Sequence, residues 1–197
     1  MALVTLKEIL ANTRKDHYAV GGFNFNGYED AQGIIQGAVS KNSPVIMMAS
    51  MGAIKYIGLR QTAGMVKGMA ESVDIPVCLH LDHATDYDLI KEAIKCGFTS
   101  VMVDASAKDY ETNIAESRAI VEFAKEHIVV EDASAAFTDP DDVPRYVEET
   151  GIDALAVAIG TVHGFYKSEP KLDFERLEKI LKITDCPLVL HGGSGVP

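Results

Sequence analysis

Three histidines carry the chemistry that this sequence suggests first. His83, His163 and His191 each follow a short apolar run, in "CLHLDHATD", "AVAIGTVHG" and "PLVLHGG". Three neutral imidazoles with one position left for substrate make a catalytic zinc site. A single histidine at a strand end is more often a hydrogen-bonded structural residue, so spacing alone does not decide. Three of them at strand ends favour a set of metal ligands.

Asp82 directly precedes His83 at the end of an otherwise apolar strand. Such a carboxylate can orient a neighbouring imidazole, or it can act as a general acid and base. Both roles stay open on the sequence pattern. His80 lies two residues deeper in the same strand, and we expect it to be a buried, hydrogen-bonded structural residue rather than a ligand.

Glycines follow two of the three histidines, in "HGFYK" and "HGGSG". Small residues let backbone N–H groups approach a phosphate closely, and Lys167 and Ser194 can supplement them. The same glycine-rich composition also occurs in tight turns that bind no ligand, so the glycines alone are a weak indication. Together with the histidines, the pattern predicts a phosphorylated substrate held on a metal.

The composition narrows the class of protein. The chain has 197 residues, 47% of them hydrophobic, and a formal net charge of −11. This charge argues against nucleic acid and anionic membranes as partners. The three cysteines, Cys78, Cys96 and Cys186, are far apart and odd in number, as expected of reduced thiols. With Lys7 and Glu8 interrupting the first apolar run, we expect no signal peptide and a cytoplasmic protein.

Short apolar runs alternate with amphipathic helical stretches along the whole chain. This alternation predicts parallel β/α units in a single domain over residues 1–197. In an open doubly wound sheet the active-site residues lie around one switch point in the strand order. In a (β/α)8 barrel they lie at the carboxyl ends of many strands. Polar and small residues end nearly every predicted strand here, which favours the barrel. Six strands are clear in the sequence, however, and a barrel needs eight.

Several motifs, taken in order, resemble one known family. The runs "YAVGGFNFN", "SPVIMMASMGAIKYIG", "HLDHATD", "GFTSVMVDAS", "TGIDALAVAIGTVHGFYK" and "PLVLHGGSGVP" are similar to those of the class II, zinc-dependent fructose-bisphosphate aldolases, which include the tagatose-bisphosphate aldolases. The resemblance implies a (β/α)8 (TIM) barrel and a glycolytic lyase. Its reaction would be the reversible cleavage of fructose 1,6-bisphosphate to dihydroxyacetone phosphate and glyceraldehyde 3-phosphate.

The resemblance also implies a role for each site residue. His83, His163 and His191 correspond to the catalytic zinc ligands, and Asp82 to the residue that exchanges a proton with the C4 oxygen. Asp104 corresponds to a ligand of a second or alternative metal position. The implied substrate-binding residues are Asn24, Ser50, Gly164, Lys167, Gly192, Gly193 and Ser194. The family further suggests a homo-oligomer, dimer or tetramer, and a monovalent cation.

The chain departs from the family pattern in two places. The family has a fifth strand with a glutamate motif, followed by a mobile loop that supplies the acid and base for the dihydroxyacetone phosphate carbon. Here "FAKEHI" passes directly to "VVEDASAAFTDP", so we expect a gap near residues 128–129. We also expect the eighth strand and the C-terminal helices to be missing after residue 197. The predicted barrel is therefore incomplete.

Three other functions remain open at this point. A tagatose 1,6-bisphosphate aldolase would differ only in the configuration of the substrate at C4. A metal-dependent hydrolase on the same barrel is a second alternative, although the H-x-H pair that many of them carry on the first strand is absent. An inactive zinc-binding paralogue is the third.

Overall fold

Seven parallel strands form one sheet in the order in which they occur along the chain. The computed structural model describes residues 3–125, 129–133, 138–162 and 169–196. Within them the strands are β1 (Gly21–Asn24), β2 (Val45–Ser50), β3 (Val77–Ala84), β4 (Ser100–Val103), β5 (Val129–Ala133), β6 (Ala154–Ala156) and β7 (Leu188–Val189). Each strand pairs in parallel with the next.

Helices connect the strands, as the alternating pattern predicts. Those described are α1 (Leu6–Leu10), α2 (Thr13–Asp16), α3 (Tyr28–Ser40), α4 (Met51–Ile57), α5 (Leu59–Glu71), α6 (Tyr87–Cys96), α7 (Tyr110–Ala124), α8 (Val143–Thr150) and α9 (Phe174–Ile183). Short 3-10 helices cover Pro140–Asp142 and Gly193–Gly195. The ends of helix α6 follow from its capping residues. Asp86 accepts hydrogen bonds from two backbone N–H groups at the start of the helix, and Gly97 ends it in the left-handed conformation.

The two faces of the sheet have different environments. In β2 the side chains of Val45, Met47 and Ala49 are buried in the main apolar core, which includes residues of the surrounding helices. The alternate residues Ile46 and Met48 line a cavity on the other face. Successive strand residues point to opposite faces of the sheet. One face therefore packs against the helices, and the other lines the cavity.

Helix α1 covers the amino-terminal end of the strands. Thr5 and Glu8 form a reciprocal capping box that starts the helix. Leu6 and Ile9 are buried in one apolar cluster with Cys78, near the start of β3. The opposite, carboxyl ends of the strands are where the predicted site residues lie.

The sheet curves so that its first and last strands face the same cavity. Residues of β1 and β7 both line a cavity of about 590 Å³. Among the described residues β1 and β7 are not paired with each other. This arrangement is a (β/α)8 barrel that lacks one strand between β7 and β1, and it confirms the predicted fold class.

The fifth strand is a correction to one detail of the sequence analysis. We expected the fifth-strand region to be missing near residues 128–129, yet β5 occupies the fifth position, between β4 and β6. Val129 and Val130 are β-branched residues that favour strands. The neighbouring strands β4 and β6 both pair in parallel with this segment. The segment that follows the predicted gap thus fills this position with five residues.

None of the helices in the described ranges has both the length and the apolar character needed to cross a lipid bilayer.

Candidate active site

The carboxyl end of β3 brings Asp82 and His83 to the same side of the sheet. Neighbouring strand residues normally face opposite ways. Here the register between β3 and β4 shifts between Leu81 and Ala84, and His83 has a positive φ of 49°. A β-bulge of this kind bends the strand and redirects a side chain. The bulge therefore explains how two consecutive residues can reach one site.

Asp104, at the end of the neighbouring strand β4, fixes the ring of His83. An Asp104 oxygen lies 2.7 Å from His83 Nδ1, and Ser106 donates to the other Asp104 oxygen through its hydroxyl at 2.6 Å. The hydrogen bond with His83, aided by Ser106, lowers the pKa of Asp104 below its ordinary value. An ionised carboxylate only accepts hydrogen bonds, so Nδ1 is the donor, and Nε2 is the ring nitrogen that would bind a metal.

This contact makes Asp104 the orienting partner of His83 in the structure. Its predicted role as a ligand of a second or alternative metal position is not tested by the contact and stays a prediction. Ser106 was not identified from the sequence. The signal that could have found it is its place two residues after Asp104, where a short polar side chain readily bonds a preceding carboxylate.

His191, after β7, completes a compact group with Asp82 and His83. Asp82 Oδ1 lies 3.7 Å from His191 Nδ1 and 3.9 Å from His83 Nε2. The two imidazole rings meet edge to face, with centroids 4.5 Å apart. One ligand atom from each of the three residues lies within 4.8 Å of the others. The strand ends thus gather residues that are more than 100 positions apart in the chain.

The donor set in this group suits a zinc ion. Asp82 is only 6% exposed, and its Oδ1 makes no hydrogen bond to any residue that the structure describes. A buried carboxylate oxygen without a donor is costly unless a cation or proton compensates it. The ligand atoms of His83 and His191 lie within 4.8 Å of each other beside this carboxylate, and imidazole nitrogens are preferred zinc ligands.

Three of the predicted site residues, His163, Gly164 and Lys167, lie outside the described residues. Val162, which precedes them, is described. A Cβ atom added to Gly192 would lie 2.7 Å from the Val162 carbonyl oxygen, so the backbones at the ends of β6 and β7 approach each other closely.

The glycine turn after His191 begins in the left-handed conformation. Gly192 is left-handed, with φ 68°, and a 3-10 helix begins at Gly193. A left-handed residue followed by a right-handed one directs successive N–H groups to one concave side. Gly192, Gly193 and Ser194 all line the large cavity together with Asp82 and His191.

Two further predicted residues have defined contacts. Asn24, at the end of β1, donates from its side-chain amide to Asp82 Oδ2 at 2.8 Å. Ser50, at the end of β2, accepts from the backbone N–H of Ala53 at 3.2 Å and so caps helix α4. The register pairs Ser50 with Asp82 across β2 and β3, which places both next to the same site.

His80 has the environment that we expected. It is 1% exposed, and its Nδ1 lies 2.7 Å from Ser100 Oγ. It lines the cavity on the same side of β3 as Asp82, but the compact group of possible metal ligands does not include it. The prediction of a buried, hydrogen-bonded histidine is confirmed.

Known proteins match both the sequence and the fold. The sequence profile described as "Fructose-bisphosphate aldolase class-II" matches residues 4–197. The chain is 42% identical to a fructose-bisphosphate aldolase from Staphylococcus aureus (strain Mu50), covering 100% of this chain and 75% of that protein. It is also 42% identical to one from Thermus caldophilus, with coverage of 99% and 70%.

Solved structures give the same result. The YdjI aldolase from Escherichia coli K12 superimposes with a TM-score of 0.94 at 37% identity, covering 99% of this chain and 75% of that one. A fructose-bisphosphate aldolase from Campylobacter jejuni gives a TM-score of 0.87 at 25% identity, with coverage of 100% and 72%. The profile match over nearly all of the sequence, with the identity to these relatives, shows that this chain belongs to the class II fructose-bisphosphate aldolase family.

Proposed function

We propose that this protein is a zinc-dependent aldolase that reversibly cleaves fructose 1,6-bisphosphate to dihydroxyacetone phosphate and glyceraldehyde 3-phosphate. One observation supports it most strongly: Asp82, His83 and His191 come within 4.8 Å of one another at the carboxyl end of a parallel barrel, where barrel enzymes place their sites. Membership of the aldolase family supplies the reaction class.

The zinc ligands in this proposal are His83, His163 and His191. The rings of the first and third already meet in the structure, and Asp104 holds the His83 ring through Nδ1. His163 follows Val162, whose backbone lies against Gly192 next to His191. This neighbourhood supports His163 as the third ligand.

When bound, zinc acts as a Lewis acid that stabilises the negative charge developing as the carbon–carbon bond breaks. Asp82 performs the proton exchange. In cleavage its carboxylate takes the proton of the C4 hydroxyl group, and in condensation it returns a proton to the aldehyde oxygen. Its Oδ1 makes no hydrogen bond to a described residue, which leaves that oxygen available, while burial limits competition from water.

The substrate phosphate would bind at the glycine turn. Gly192, Gly193 and Ser194 line the cavity beside His191, and the left-handed start of the turn favours an anion held by successive backbone N–H groups. Gly164 and Lys167 complete this phosphate site in the proposal. Ser50 and Asn24 line the side formed by β2 and β1.

The choice of fructose over tagatose bisphosphate rests on the named relatives, which are fructose-bisphosphate aldolases. Cleavage of each sugar is measured at equal concentration, with triose phosphate formation coupled to a dehydrogenase. We expect a clear preference in kcat/KM for fructose 1,6-bisphosphate. A preference for the tagatose isomer, or equal rates on both sugars, would contradict this substrate assignment.

Metal dependence is tested on the same preparation. Treatment with a strong chelator should abolish cleavage, and one equivalent of zinc per chain should restore it. Activity that survives complete removal of zinc would refute the metal-dependent reaction. Bound zinc without chelator-sensitive cleavage would instead identify a non-catalytic zinc protein.

A further inference from the structure

Among the described residues, a hydrogen bond holds one of the two carboxylate oxygens of Asp82. Its Oδ2 accepts a hydrogen bond from the Asn24 side-chain amide at 2.8 Å, whereas Oδ1 lies near the two imidazoles, 3.7 Å from His191 Nδ1 and 3.9 Å from His83 Nε2. The two oxygens of one carboxylate therefore have separate environments. The amide contact is on the oxygen that does not face the possible metal ligands.

We propose that Asn24 is a positioning residue that acts through Asp82 and directs proton exchange to Oδ1. This inference rests on the proposed aldol reaction. It differs from the substrate-binding role that the family resemblance implies for Asn24, because here the residue affects the rate through the carboxylate and not through a contact with the sugar.

The backbone around Asn24 is anchored well enough for this role. Asn24 is the last residue of β1 and pairs with Met48. The next residue, Phe25, is fully buried, and its N–H donates to the Met48 carbonyl at 3.1 Å. Although Asn24 itself is exposed, these contacts with β2 fix the direction from which its amide reaches Asp82.

The cavity face of β1 next to Asn24 is packed by a side chain of β2. A Cβ atom on Gly22 would lie 2.6 Å from the Met48 sulfur, so the Met48 side chain lies directly over Gly22. Alternate residues share one face of a strand, and Gly22 and Asn24 both line the cavity. Met48 thus lies against Gly22, two residues before Asn24 and on the same face of β1.

The chemistry of an amide suits this task. A carboxylate only accepts hydrogen bonds, so the amide nitrogen of Asn24 must face it. When Oδ1 bears the proton, Oδ2 is a carbonyl oxygen that still accepts the same bond. The contact need not break during proton exchange, and the reacting oxygen keeps its place. Misplacement of a reacting group by about 1 Å can lower a rate by roughly 100-fold.

The test separates action through Asp82 from direct substrate binding. In Asn24→Ala we expect kcat for fructose 1,6-bisphosphate cleavage to fall about 100-fold, with KM changed by less than about threefold. The double variant Asn24→Ala/Asp82→Asn should be no slower than Asp82→Asn alone, because residues that act as one unit are not additive. Asn12→Ala is the matched control, since that exposed residue makes no side-chain cap bond in α2 and should retain wild-type rates.

A large rise in KM with little change in kcat, or fully additive losses in the double variant, would overturn the proposal. Asn24→Asp is the second variant in case Asn24→Ala does not fold. It keeps the shape but places a carboxylate against Asp82, and we expect a loss of kcat at least as large. A near wild-type kcat for Asn24→Asp would also overturn the proposal.

A readout that does not use activity separates this inference from the proposed function. The ¹⁵N–¹H signals of the Asn24 side-chain amide should move when Asp82 is replaced by alanine, whether or not the protein cleaves a sugar. An inactive wild-type protein whose Asn24 signals still respond would refute the aldol function alone. Unchanged Asn24 signals in Asp82→Ala would refute the contact on which the inference depends.

Discussion

His83 combines a strained backbone with a fixed ring. Its positive φ is uncommon for a residue with a side chain and costs about 1–2 kcal/mol. The β-bulge in β3 requires this positive φ and lets Asp82 and His83 face one site. Asp104 then fixes the His83 ring. Backbone strain of this kind persists where the surrounding structure imposes it, commonly at functional sites.

Asp82→Asn tests the proton exchange directly. The amide has almost the shape of the carboxylate but cannot accept the C4 proton, so we expect kcat to fall by about 10²–10⁴-fold with zinc still bound. Steady-state cleavage and zinc content are measured on the same sample. Asp74→Asn, an exposed acid, should behave as wild type. A kcat within threefold of wild type for Asp82→Asn would remove Asp82 from the mechanism.

Asp104→Asn tests the orientation of His83. The amide can no longer accept strongly from Nδ1, so we expect zinc affinity to fall about 10–100-fold, the usual effect of losing a partner of a ligating histidine. Competition with a zinc chelator measures the zinc affinity of the variant, again with Asp74→Asn as the control. If the affinity is unchanged, the contact between Asp104 and His83 has no role in metal binding.

Elements differed in how well the sequence predicted them. Helix α6 was predicted from Asp86 and Gly97 because both caps depend on local backbone chemistry. The bulge at His83 was not predicted, since it depends on the register between β3 and β4, a tertiary property. The same reason applies to the contacts of Asp82 with Asn24 and of Asp104 with His83, which join residues on separate strands.

The close approach of β6 and β7 gives a prediction at the scale of the elements. Gly192→Ala should destabilise the protein by about 1–2 kcal/mol or more, because the residue is left-handed and its Cβ would meet the Val162 carbonyl at 2.7 Å. Chemical denaturation measures the change. Gly193→Ala is the stability control, since a Cβ there has nothing within 4 Å. Equal stability of the two variants would show that the close approach is not required.

The molecule as a whole is a barrel in which β1 and β7 are not paired with each other among the described residues. The sequence motifs predicted the architecture, because polar and small residues end nearly every predicted strand, as they do at the carboxyl ends of a barrel. They did not predict β5 as the fifth strand, since five residues carry little periodicity. The alignment with the Staphylococcus aureus relative extends over 215 residues against 197 here, so that relative has positions this chain lacks.

The predicted gap near residues 128–129 can be tested by insertion. Because β5 begins at Val129 and the loop follows the fifth strand in the family, the mobile loop of a relative is grafted after Ala133, at the carboxyl end of β5. We expect this graft to raise kcat for cleavage at least tenfold, because the family resemblance assigns to the loop an acid and base for the dihydroxyacetone phosphate carbon. A graft whose acidic residues are replaced by amides is the control. Equal rates with and without the acidic residues would show that the loop does not supply this group.

The most direct test of the zinc site is X-ray absorption at the zinc edge of the metal-loaded protein. We predict three imidazole nitrogens at about 2.0–2.1 Å from one zinc, with loss of one imidazole in each of His83→Ala, His163→Ala and His191→Ala, and no loss in His17→Ala. A zinc environment that keeps three imidazoles in any of the first three variants, or that has none in the unaltered protein, would contradict the account.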